Sequence, residues 1–226
     1  MDKMVFLRLA RLLAMANGWI AMITAAGFHR HQILADVLRI SPAAAQFMFF
    51  TQQANLLAIL WWTWAVLGGA RGATGDTGRM IRGAAALYIL LTGIVYGAIL
   101  CRLYTPGGAQ AYVNLTHHVI TPLLFGIDWL LTEERGSYRW RWLAAWVLYP
   151  MAYLNWIIRL GGRTRFYVYP FLDMGYLGAG RMTLHCIGML VFMAMLGAGM
   201  VLLNRKAGIL LRMGSRLDRP RNHPCA

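Results

Sequence analysis

This chain has little charge, few acids and almost no lysine. Only 13% of its 226 residues are charged, with 8 Asp or Glu against 22 Lys or Arg, and only two of the bases are lysine. A soluble domain carries about 25% charged residues, so the polar surface of a water-exposed globule is missing. Cysteine is also scarce. Cys101, Cys186 and Cys225 fit neither a disulfide framework nor a metal motif. No internal repeat and no low-complexity tract interrupts the chain, which excludes repeat arrays and flexible linkers.

The charge that is present is segregated. No Asp, Glu, Lys or Arg occurs in 12–29, 40–70, 83–101, 103–127, 142–158 or 182–204. Each gap is close to the ~17–25 residues that cross a bilayer as a helix. With 59% hydrophobic residues and a mean hydropathy of +0.50, the pattern predicts an all-α polytopic membrane protein. Its expected form is a bundle of six transmembrane helices over 1–204, followed by a basic tail over 205–226. The first stretch has signal-peptide features, but its apolar run is long enough to span and five more follow, so an uncleaved first helix is expected.

Arg and Lys set the expected orientation. Fifteen fall on one side: the N-terminus, the 71–82 and 135–141 loops, and the tail. Seven fall on the other, four of them in the 159–181 connection. Both termini are therefore expected in the cytoplasm, with the protein multi-pass in the cell (inner) membrane. The net charge of +14 does not indicate nucleic acid, because the basic residues flank apolar segments. In the tail, with Pro220 and Pro224, they would sit near anionic lipid.

Polar residues inside spans are costly and mark candidate sites. In the fourth span, Gln110, Asn114, His117, His118, Thr121 and Asp128 fall within roughly a third of the helix circumference at ~100° per residue. Val113, Ile120 and Leu124 lie opposite. The second span carries "FFTQQANLL", where Thr51 and Asn55 are one turn apart beside Gln52. If that helix enters near Ala44, Thr51 lies ~11 Å below the outer boundary, at the depth of the two histidines. The 159–181 connection is rich in aromatics (Tyr167, Tyr169, Phe171, Tyr176) and holds Asp173 as its one acid, and it is expected to cap this level. Tyr96 and Tyr153 are expected to line a cavity with Tyr169. Pro150 is expected to kink the fifth span.

The segments "FFTQQANLL", "THHVITPLLFGIDWLL", "YPMAYLNW" and "YVYPFLDMGYLGAG" appear in one order between Phe47 and Gly180. In this they resemble the six-span membrane family that includes the androgen-induced protein and the androgen-dependent regulator of tissue-factor-pathway inhibitor. The Gln52–Gln53 pair resembles its bacterial branch. The resemblance implies an intramembrane threonine hydrolase of lipid (fatty acid) esters, with Thr51 as nucleophile. The implied base precedes a helix-four proline by four or five residues, which is His118 or His117.

The chemistry is self-consistent. A threonine hydroxyl needs a base to become a nucleophile, and a neutral imidazole can take the proton and return it to the leaving alkoxide. Asp173, or else Asn114, would orient the imidazole, and the amides of Gln52 and Asn55 would stabilise the oxyanion. No metal or other cofactor is expected, and the partners are the bilayer and a lipid substrate. Two other readings use the same residues. A haem- or quinone-binding protein would use His118 and His185. A small transporter would use the helix-four stripe with Asp128.

Overall fold

The computed structural model describes residues 2–27, 29–68, 75–102 and 105–217. Among these the chain is helical and has no strand. The α-helices are α1 (Lys3–Ala26), α2 (His29–Leu38), α3 (Pro42–Ala45), α4 (Phe50–Val66), α5 (Asp76–Ala98), α6 (Gly108–Leu115), α7 (Thr121–Thr132), α8 (Trp140–Thr164) and α9 (Met174–Leu217). Four of them are long and apolar enough to cross a membrane: α1, α5, α8 and the Met174–Ile209 part of α9. Their outward faces are apolar, with Leu13, Ile23, Leu148 and Leu184 each about two-thirds exposed or more. Apolar surface of that extent fits contact with lipid and would be an aggregation liability in water.

The other two expected spans are interrupted, and each interruption has a local cause. In the second, Ser41 caps the short α3, a 3₁₀ turn covers Gln46–Met48, and Phe49 is extended (φ −91°, ψ 127°) before α4 begins at Phe50. One phenol bridges the break: Tyr153 Oη donates to the Met48 carbonyl at 2.8 Å and accepts from the Phe50 N–H at 3.1 Å. In the fourth, a π-turn over Thr116–Ile120 joins α6 to α7. Pro122 has no N–H to offer the His118 carbonyl four residues back, and its ring would clash there. The backbone widens instead, and Thr121 N–H reaches the Thr116 carbonyl. Such bulges recur at functional sites.

α8 runs on through Pro150. The carbonyl that this proline orphans, on Trp146, accepts from Tyr88 Oη on α5 at 2.8 Å. α8 also extends to Thr164, so the expected 159–181 loop shrinks to the stretch between Thr164 and Met174. α9 runs past Asn204 to Leu217, with one non-helical residue at Gly178, so the first half of the expected tail is helical. Residues 218–226, with Pro220 and Pro224, lie outside the described residues.

α1 packs on α4, α4 on α5, α5 on α7, and α8 on α9. Trp62, Phe125, Tyr138 and Trp146 are among the largest side chains of the core. One end of the bundle holds a buried ionic layer. Asp128 on α7 accepts from Arg11 Nε and Nη2 on α1 (3.1 and 2.7 Å) and from Trp62 Nε1 on α4 (3.2 Å), and it pairs with Arg82 on α5 (3.4 Å). Arg82 also pairs with Glu133 at 3.2 Å. Both guanidiniums lie over the Trp61 ring, at 5.1 Å for Arg11 and 4.3 Å for Arg82. This layer ties four helices together.

Candidate functional site

Thr51 sits in the first turn of α4. It does not lie partway down a continuous span, because the helix starts at Phe50 rather than near Ala44. The first N–H groups of a helix have no partner within it. Here two tyrosines serve as the cap: Tyr153 Oη accepts from Phe50 N–H, and Tyr169 Oη accepts from Thr51 N–H at 3.4 Å. Tyr169 belongs to the short loop before α9, so that loop does lie over Thr51.

The Thr51 hydroxyl makes no bond back to its own helix, a lack it shares with Thr116. Thr24, Thr63, Thr92, Thr132 and Thr164 each bond the carbonyl four residues back, at 2.8 to 2.9 Å. For Thr51 that carbonyl belongs to Phe47, beyond the Phe49 break, and the Gln53 amide claims it at 2.6 Å. Among the described residues the Thr51 hydroxyl has no hydrogen-bond partner. Thr51 lines an apolar cavity of about 60 Å³ with Phe50, Thr92, Tyr153, Tyr169 and Met193.

The histidine turn is joined to this helix by Asn55. Its Nδ2 donates to the Thr51 carbonyl at 2.9 Å and to the His117 carbonyl at 3.1 Å, with the residue fully buried. Two clusters more than sixty positions apart in sequence thus meet at one level. Both N–H bonds of Asn55 are used here, so it is a strut and not the oxyanion donor expected of it. Gln52 is buried but does not line the cavity, and its Oε1 has no partner among the described residues.

His118 is half-buried. Its Nδ1 lies 3.0 Å from the Asn114 main-chain carbonyl. A carbonyl only accepts, so Nδ1 carries the proton and Nε2 keeps its lone pair. The orienting group is therefore the Asn114 backbone. The Asn114 side chain donates to Tyr96 Oη instead, and the Tyr96 ring stacks on His118 with centroids 4.2 Å apart. Tyr96 thus backs the imidazole and does not line the cavity. Asp173 is placed otherwise than expected: its Oδ1 accepts from Gly175 and Tyr176 N–H at 2.9 and 3.1 Å, capping α9. His117 is 1% exposed. Among the described residues no hydrogen bond joins Thr51 to either histidine, and neither histidine lines the cavity.

α5 separates these elements. It presents Leu91, Thr92 and Val95 to the cavity, and Gly93 and Tyr96 to the π-turn. A Cβ on Gly93 would lie 3.0 Å from Pro122 and 3.1 Å from the His118 carbonyl. Only glycine lets α5 approach that orphaned carbonyl so closely.

The remaining candidates fall elsewhere. His185 is exposed on α9, and Asp128 is held in the ionic layer. The π-turn offsets Thr121 and Asp128 from the regular register that would place them on one face with the histidines, whereas Gln110 precedes it on α6. Val113, expected on the opposite face, is buried against Ala21 and Ala25 of α1. Sequence reasoning missed Thr116, which is fully buried at the start of the π-turn with its hydroxyl unpartnered among the described residues. Its signal was present in "LTHHV", but five spacings of regular helix hide a π-turn. Among the described residues no group of three or more His, Cys, Asp or Glu is placed to hold a metal ion. Compared with family models, characterised proteins and solved structures, the chain matches none.

Replacing Asn55 with alanine removes both donated bonds without adding bulk to a fully buried site. The His117 carbonyl then loses a buried partner, a loss of roughly 1–3 kcal/mol. The variant is expected to be less stable in detergent by that margin, seen as a lower unfolding temperature, and an unchanged transition would show that the strut carries no load.

Proposed function

We propose that this chain is an intramembrane hydrolase of lipid (fatty acid) esters, with Thr51 as nucleophile and His118 as base. It would span the cell (inner) membrane six times, with both termini in the cytoplasm. The observation that carries the reading is the Thr51 hydroxyl, which makes no back-bond and, unlike the equally unpartnered Thr116, is set in the wall of an apolar cavity.

The proposed reaction is acyl transfer. Thr51 Oγ1 attacks the ester carbonyl while the His118 Nε2 lone pair takes its proton. The proton passes to the departing alkoxide, leaving an acyl-threonine that water cleaves with the same imidazole as base. The Asn114 carbonyl fixes the tautomer this requires. The positive end of the α4 dipole lies at Thr51 and favours the developing oxyanion, in place of the amides of Gln52 and Asn55. Nucleophile–base contacts are often long without substrate, and the mechanism requires Thr51 and His118, which lie against different faces of α5 here, to come within reach of one substrate. The acyl chain would enter laterally from the bilayer, and the apolar cavity of about 60 Å³ would seat only the carbons next to the ester.

A lipid-tailed fluorophosphonate probe, added to the full chain in detergent, is expected to modify Thr51, mapped by peptide mass spectrometry. Labelling should vanish in Thr51→Ala. Modification of another residue, Thr116 included, would overturn the assignment.

A further inference from the structure

The end of the bundle that holds the ionic layer also holds a polar cleft that the proposed hydrolysis does not use. It lies where α5 begins, α7 ends, α8 begins and α9 passes Arg205. The cleft has a volume of about 350 Å³ and is lined by Asp76, Arg79, Glu134, Ser137, Arg139 and Arg205, among others. This falls within the roughly 300–1,000 Å³ of small-molecule sites. A second hollow of about 320 Å³, lined by Thr77, Met80, Arg141 and Trp142, shares Asp76 with it.

The cleft is built rather than incidental. Asn204 on α9 is fully buried and holds the 134–138 turn with three bonds. Its Nδ2 donates to the Glu134 carbonyl (2.8 Å), its Oδ1 accepts from Tyr138 N–H (3.0 Å), and its own carbonyl accepts from Gly136 N–H (2.9 Å). Gly136 has φ +79°, and a Cβ on Gly208 would lie 2.5 Å from the Gly136 Cα. The turn and α9 therefore meet backbone to backbone. Burial pushes the Tyr138 phenol well up from its ordinary range, so it adds no negative charge to the wall.

The charge is unbalanced. Arg79 pairs with Glu134 and, at 3.8 Å, with Asp76, and Arg139 pairs with Asp76 at 2.5 Å. Arg205 and Arg141 have no ion pair among the described residues. Three guanidiniums thus line the cleft against two carboxylates, and a fourth, Arg141, lines the adjoining hollow. Those carboxylates are 46% and 61% exposed, and ion pairs that open to water are worth only about 0–1 kcal/mol, so an incoming anion displaces little. Ile209 lines the cleft and is more than half exposed, and the exposed Trp140 follows Arg139 directly in the chain; tryptophan favours the membrane–water boundary. Basic pockets at the ends of membrane helices suit lipid phosphate.

We propose that this cleft, with the hollow that shares Asp76, binds the phosphodiester of an anionic phospholipid, Arg205 in the cleft and Arg141 in the hollow being the charges that select it and the apolar surface at Ile209 seating the acyl chains. A free phosphate shares the headgroup chemistry but has nothing to place on that surface.

The test uses the full chain in nonionic detergent, titrated with short-chain phosphatidylglycerol, short-chain phosphatidylcholine or inorganic phosphate and read by native mass spectrometry. Phosphatidylglycerol adducts should form at concentrations at least about tenfold below the phosphatidylcholine ones. Inorganic phosphate should neither form adducts nor compete at matched concentration. Arg205→Gln with Arg141→Gln should erase the preference, whereas Arg205→Lys, which keeps the charge, should retain most of it. Equal binding of the two lipids, an unchanged preference in the double variant, or inorganic phosphate binding as well as phosphatidylglycerol would each overturn the proposal. A thermal transition measured on each variant separates lost binding from lost fold.

Discussion

Thr51→Ala is expected to abolish lipid ester hydrolysis while the protein stays folded and inserted, and His118→Ala is expected to slow it by roughly 10²–10⁴-fold, the usual contribution of a positioned acid–base group. The threonine substitution removes the attacking atom itself, so its effect should be at least as large. Neither change should cost much stability, because the Thr51 hydroxyl has no partner among the described residues and the His118 ring rests against Tyr96 without closing a core contact of its own. The measurement is turnover of a fluorogenic lipid ester by purified protein in detergent or vesicles, with the thermal transition recorded alongside. Wild-type turnover in both variants would end the proposed mechanism. Loss in Thr51→Ala together with full activity in His118→Ala would move the base to His117, one residue away in the same π-turn. A Soret band in the purified protein would instead favour the haem reading that uses His118 and His185.

The second large effect concerns stability. Asp128→Ala is expected to destabilise the protein by about 3–5 kcal/mol, the cost of removing one partner from a buried ion pair. Arg82, 6% exposed, would lose one of its two acids, and the Trp62 indole N–H would lose its acceptor. Arg11→Ala should cost less, because its side chain is 21% exposed and Asp128 keeps Arg82. Unfolding in detergent against a graded denaturant measures both. A loss below about 1 kcal/mol in Asp128→Ala would show that the layer does not hold the helices together. The same arrangement bears on the transporter reading. A carboxylate engaged by two arginines and a tryptophan is a structural tie in this arrangement.

Much of the architecture was legible in the chain. Long stretches without Asp, Glu, Lys or Arg leave a helix as the way to satisfy the backbone in hydrocarbon, and the helical fold and the long apolar helices follow from that. The polar clusters at Thr51 and at the double histidine were legible too, because polar residues are conspicuous against an apolar background. The register was less legible. A period of 3.6 residues was carried through "THHVITP", yet Pro122 forces a π-turn there, and a single inserted spacing reorders every face that follows. Pro122 was visible in the sequence, but how the backbone answers a proline depends on what packs beside it. For Pro150 the answer is a hydroxyl from Tyr88. For Pro122 it is a close approach by Gly93.

By itself, the sequence determined the chemistry available: which segments are apolar, where charge is excluded, and which hydroxyls and imidazoles sit among them. Tertiary structure decided the roles. It put a helix start at Phe50, so that Thr51 lost its back-bond and Tyr153 and Tyr169 became caps. It spent both Asn55 N–H bonds on carbonyls, gave the orienting of His118 to the Asn114 backbone, and turned Asp173 to the cap of α9. It also drew Arg11, Arg82 and Asp128 from three distant span ends into one layer. The physical reason is the same in each case. A buried polar group must find a partner, and which partner lies within 3 Å is settled by how helices pack, over separations that no local pattern in the chain records.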